Sequence, residues 1–72
     1  MDVPALKPYF GKNVLVVSGT KDFVGNLQPV PSSQKAVKMK PLPDELAEKY
    51  PFAINGVALL SADSISFLQN LK

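Results

Sequence analysis

Seventy-two residues, 46% of them apolar, make one domain (1–72), near the lower size limit at which a single core holds a fold unaided. The absence of cysteine and histidine excludes disulfides, thiolate metal sites and the commonest general base. The charge of +2 rests on eight lysines and no arginine, so a polyanion partner is allowed but bidentate arginine contacts to phosphate or base are not.

The N-terminal stretch Met1-Asp2-Val3-Pro4 has no basic region leading into an apolar run, and no apolar stretch approaches a membrane-spanning length. The simplest expectation is a cytoplasmic protein that does not engage a membrane. No cofactor is implied. Self-association is the expected extra source of stability for so small a chain.

Residues 2–10 predict one short helix, capped by Asp2, with Pro4 in its first turn and Pro8 limiting its length. Leu6, Tyr9 and Phe10 would lie over one end of the core. The stretch 13–30 predicts a hairpin around which the rest is organised. Its first arm, 14–17, is an unbroken aliphatic run suited to a strand covered on both faces. Its second arm, 22–30, carries Gly25 in its middle, which marks a bend, a bulge or a close backbone approach. Ser18-Gly19-Thr20-Lys21 is the turn; it also matches a Ser-x-x-Lys pattern, but in a hairpin tip the turn accounts for it.

Segment 28–34, with two prolines and two serines, reads as a turn or irregular strand end. Segment 35–42 alternates, Val37 and Met39 on one face against Lys38 and Lys40 on the other, as a half-buried strand does. Residues 43–50 read as two turns of helix with acids first, lysine last and Pro51 beyond. Asp44, Glu45 and Glu48 are accounted for by that helix polarity. After the turn signal Asn55-Gly56 come two more strands, 57–60 and 64–71, divided by a short corner at 61–63. Asp63 and Ser64 read as a tight-turn pair. The six aromatics, one or two per element, read as core and lid packing.

Gly11-Lys12-Asn13-Val14-Leu15-Val16 followed by Asp22-Phe23-Val24-Gly25-Asn26-Leu27 resembles the first motif of Sm-like (LSm, Hfq-like) proteins. There a Gly-Lys-x-Val-x-Val strand precedes a bent strand of the form x-x-x-Gly-x-Leu. The tail Ala58-Leu59-Leu60-Ser61-Ala62-Asp63-Ser64-Ile65-Ser66-Phe67-Leu68 is similar to the second Sm motif. The likeness leaves out 43–56, where that family has its most variable loop. It implies a mostly β fold: a five-stranded, strongly bent antiparallel SH3-like barrel with a short N-terminal helix and a helical insertion between strands 3 and 4. It also implies a homo-oligomeric ring. The family's uridine-holding residues are not kept: their places fall at Pro31, Gln34 and Lys35, and the Arg-Gly of the second motif falls at Ser61-Ala62.

Two non-enzymatic functions follow. One is a ring that binds single-stranded RNA weakly, without the usual uridine pocket, through Gln34, Lys35, Lys38, Lys40 and Ser61. The other is a structural or protein-interaction module that binds no nucleic acid and has a protein partner. For Lys35, Lys38 and Lys40 the plain alternative to phosphate contact is a solvated face that blunts a sheet edge; no aromatic interleaves them as a stacking platform. In either function the strands at 57–60 and 65–68, apolar on both faces, would expose an edge unless a second copy covers it. Val57, Leu59, Leu60, Ile65, Phe67 and Leu68 are the candidate interface. With no histidine, cysteine, arginine or phosphate loop, enzyme activity is not expected.

Overall fold

The computed structural model describes residues 1–71. The chain opens with α1 (Val3–Leu6), where the Asp2 carboxylate accepts from the Ala5 N–H at 3.1 Å, as a capping residue does. The expected single helix over 2–10 is in fact two pieces, because Pro8 has no N–H to continue the α ladder. Residues Lys7–Tyr9 tighten into a 3-10 turn that Phe10 closes. Leu6 is fully buried, and Tyr9 and Phe10 pack half-buried against the core.

The hairpin of β1 (Asn13–Ser18) and β2 (Lys21–Pro29) turns through two residues, Ser18 pairing with Lys21. Gly19 has φ +63° and Thr20 does not have positive φ, the type II′ pattern that follows the right-handed twist of the strands. The aliphatic run of β1 buries Val14 and Val16 completely, whereas Leu15 and Val17 on the other face are only half-covered. β3 (Ala36–Lys40) alternates as its sequence predicts, with Val37 and Met39 fully buried.

Gly25 is a close-approach glycine. A Cβ there would lie 2.4 Å from the Lys40 carbonyl oxygen, well inside contact distance. It marks the point where β2 changes partners: residues 13–18 of β1 pair with 21–26 of β2, and β3 pairs with 26–29. β3 stops at Lys40, before two prolines, which frees the β2 edge at Phe23 and Val24. β4 (Ile54–Asn55) takes that edge in parallel. This sixth strand, two residues long, was not expected from the sequence, since nothing periodic can register in two residues. Between β3 and β4, α2 (Asp44–Ala47) is one turn rather than two. Its last backbone bonds, Lys49 to Leu46 and Tyr50 to Ala47, are i to i−3, as expected where Pro51 disfavours helix at the preceding residue.

β5 (Ala58–Ser61), a 3-10 corner (Ala62–Ser64) and β6 (Ile65–Asn70) complete the chain. Strand order is β5-β3-β2-β1-β6, antiparallel apart from β4. The ladder is open: β5 and β6 stand at its two ends, joined by the corner but not hydrogen-bonded to each other. The core lies on one face, from Leu6, Val14, Val16, Leu27, Val37, Met39, Leu60, Ala62 and Ile65. Val24 is also fully buried, on the opposite face, and neither it nor buried Leu42 belongs to that cluster. Segment 41–57 docks beside Val24, β4 pairing with β2 at Phe23 and Val24. It is held by Asn55, whose amide accepts from the Leu42 N–H at 2.7 Å and donates to the Leu42 carbonyl at 3.2 Å.

Candidate nucleic-acid and assembly surfaces

The register divides the five candidate nucleic-acid residues into two groups. Gln34, Lys35 and Ser61 come together at one end of the sheet, where Ser61 pairs with Ala36 and the Ala62 N–H donates to the Lys35 carbonyl at 2.7 Å. All three are exposed. Lys38 and Lys40 lie further along β3 on the face turned away from the core, Lys40 exposed and Lys38 half-buried. Pro31, at a place where the resembled family holds a base, is exposed in the β2–β3 connection.

Around Lys38 and Lys40 the sheet supplies neighbours that the linear sequence did not point to. Asn26 stands directly across from Lys40, and Gln28 across from Lys38. The Asn26 amide donates to the Gly11 carbonyl at 2.9 Å and to the Asn13 side chain at 3.1 Å, and accepts from the Gln28 amide. These bonds hold the floor beside the lysines in place. A two-residue spacing of amides opposite a two-residue spacing of lysines is the signal, but it exists only once the strands are in register. Lys38 is paired on both sides, with Gln28 and Leu59, and guards no free edge, whereas Lys40 pairs with Asn26 alone, beyond the end of β5. Asp44, Glu45 and Glu48 are all exposed around α2, and no metal-ligating cluster of three or more forms among the described residues.

The six candidate interface residues also divide. Leu60 (8% exposed) and Ile65 (2%) point into the core and offer no side chain to a partner. Leu68 is half-buried against the core. Val57 (71%), Leu59 (70%) and Phe67 (47%) are open to solvent. Leu59 pairs with Lys38 and Phe67 with Val17, which puts both on the outer face at opposite ends of the sheet. Among the described residues β5 pairs only with β3 and β6 only with β1, so each keeps one unpaired edge. β6 is irregular where Val17 pairs with Phe67 and Ser18 with Ile65, leaving Ser66 as the extra residue. No described helix is long and apolar enough to cross a membrane.

Comparison of the chain with protein-family models, with curated proteins and with solved structures finds no match.

Proposed function

We propose that this chain is an Sm-like small barrel, assembling through the β5 edge of one copy and the β6 edge of the next. In that ring it binds single-stranded RNA weakly through lysines and backbone. The observation that carries the reading is the strand order β5-β3-β2-β1-β6, with an unpaired edge and exposed apolar side chains at each end. An unpaired strand edge is a template for another chain, and exposed Val57, Leu59 and Phe67 make solvent a poor neighbour for it. The two edges differ from each other, so the contact is heterologous and propagates until it closes.

Support for the RNA component is the position of the lysines. Lys38 is flanked by Gln28 on one side and Leu59 on the other, where protecting an edge does not account for it, and Lys40 continues the same outer face. Lys35 sits with Gln34 and Ser61 at the sheet end, so successive copies in a ring would present these groups repeatedly. Repetition raises the avidity of contacts that are individually weak.

The deciding experiment is the mass in solution by light scattering on a sizing column at two concentrations, followed by titration with a short single-stranded RNA at low salt. An assembly of several copies that binds the RNA is expected. A monomer at both concentrations overturns the ring. An assembly with no RNA binding at low salt leaves the second reading, a protein-interaction module. That reading draws on a different observation, the exposed Phe52 and Ile54 on segment 41–57.

A further inference from the structure

A cleft of about 330 Å³ opens between α1 and the β2–β3 connection, lined by Val3, Pro4, Lys7 and Gln34. That volume lies at the small end of the range for ligand sites, roughly 300–1,000 Å³. Of its lining, only Gln34 belongs to the surfaces described above. Both walls are fixed through the backbone. On one side Leu6 anchors α1 in the core and Val3 packs against that core. The Lys7 N–H donates to the Val3 carbonyl, and the Lys7 carbonyl accepts from the Phe10 N–H at 3.2 Å. On the other side Gln34 is bracketed by two held residues. The Ser33 N–H donates to the Val30 carbonyl at 3.0 Å, and the Ser33 hydroxyl accepts from the Lys35 N–H at 3.2 Å. The Lys35 carbonyl accepts from the Ala62 N–H at 2.7 Å. A ligand entering here has little backbone to order, which lowers the cost of binding.

The lining residues are few: one lysine, one glutamine, one valine and one proline. We propose that the cleft binds a small monocarboxylate with a short apolar body. Lys7 pairs with the carboxylate, the Gln34 amide donates to its second oxygen, and Val3 and Pro4 take the hydrocarbon. The lining holds a single cation, Lys7, which matches a single negative charge; Lys35, next to Gln34, is not part of the lining. Asp2, the nearest acid in the chain, is engaged by the Ala5 N–H and does not line the cleft. The ligand is either a free carboxylic acid or the C-terminal carboxylate of a peptide, since both present the same group. This proposal depends on neither the ring nor the RNA reading.

The test is titration of the full, isotope-labelled chain followed by amide chemical shifts, with isovalerate, N-acetyl-glycyl-valine and the C-terminal amide of that peptide as probes. Saturable shifts are expected at Lys7, Gln34 and Lys35 with one or both acids, and none with the peptide amide. Saturation by isovalerate assigns the free acid, and saturation by the peptide acid alone assigns the peptide terminus. Lys7→Gln is expected to weaken binding about fivefold, the effect of one solvent-exposed ion pair, while leaving the strand resonances in place. Linear, unsaturating shifts, an equal response to the peptide amide, or unchanged affinity in Lys7→Gln overturns the proposal. So does equal binding of inorganic phosphate at the same residues.

Discussion

Gly25, in mid-strand, and Gly56, at a bend, differ sharply in the space around them. The Gly25 position faces the Lys40 carbonyl oxygen, 2.4 Å from where a Cβ would sit, whereas nothing lies within 4 Å at Gly56. The obstacle at Gly25 is backbone, which cannot rotate aside. Gly25→Ala is therefore expected to destabilise the fold by about 1–3 kcal/mol, the range for overpacking. A thermal melt should read that as a drop of roughly 4–8 °C per kcal/mol for a domain of this size. Gly56→Ala, the matched control, is expected to stay within about 0.5 kcal/mol of the parent. Gly19 is constrained differently, by φ +63° in a turn with open space around it. Gly19→Ala should cost about 1–2 kcal/mol through the left-handed conformation alone.

Segment 41–57 owes its place to one side chain more than to its helix. α2 is a single turn, β4 is two residues, and isolated elements of that length do not persist in water. Asn55 joins the segment to itself by bonding both backbone groups of Leu42, while β4 docks on the free edge of β2. Asn55→Ala leaves the buried Leu42 N–H and carbonyl without that partner, at a cost of about 1–3 kcal/mol. Hydrogen exchange at the Leu42 amide should speed up in that variant more than exchange in the β1–β2 hairpin. Equal acceleration everywhere would mean that the segment is not a separate cooperative unit.

The whole molecule is well collapsed: its radius of gyration is 11.0 Å, close to the ~11 Å of a compact chain of this length. No buried side-chain polar atom lacks a partner among the described residues. The β5 and β6 edges at the sheet ends are unpaired among the described residues, and that is where assembly is tested. Leu59→Lys and Phe67→Lys each place a charge on one edge without touching the core, so both should give monomers with unchanged secondary structure by circular dichroism. An unchanged mass in both would remove the β5–β6 contact from the proposal. For the RNA component, the slope of log affinity against log salt should be about −2 if Lys35, Lys38 and Lys40 each neutralise one phosphate of a single strand. It should flatten when all three become glutamine. A steep slope that survives the triple change would assign the binding to other lysines.

Much of the fold was legible because short-range chemistry decides it. The alternation of β3, the two-residue turn at Gly19 and Thr20, the Asp2 cap and the stops at prolines depend on neighbours a few residues away. Gly25 could be recognised as a constrained position for the same reason. What it is constrained by, the carbonyl of Lys40, lies across a strand pair that linear order does not contain. Tertiary structure alone decided the parallel β4, the burial of Val24 and Leu42 outside the main cluster, and the turning of Leu60 and Ile65 into the core. An apolar residue in an apolar strand reads the same whether it faces the core or solvent; only register separates Leu59 from Leu60. The candidate lysines were visible as residue types, but their separation into a sheet-end group and an outer-face group came from pairing. Sequence by itself determined the five longer strands and where they turn, through periodicity and backbone restriction, but not β4. Which faces and edges remain open to a partner was decided by long-range pairing.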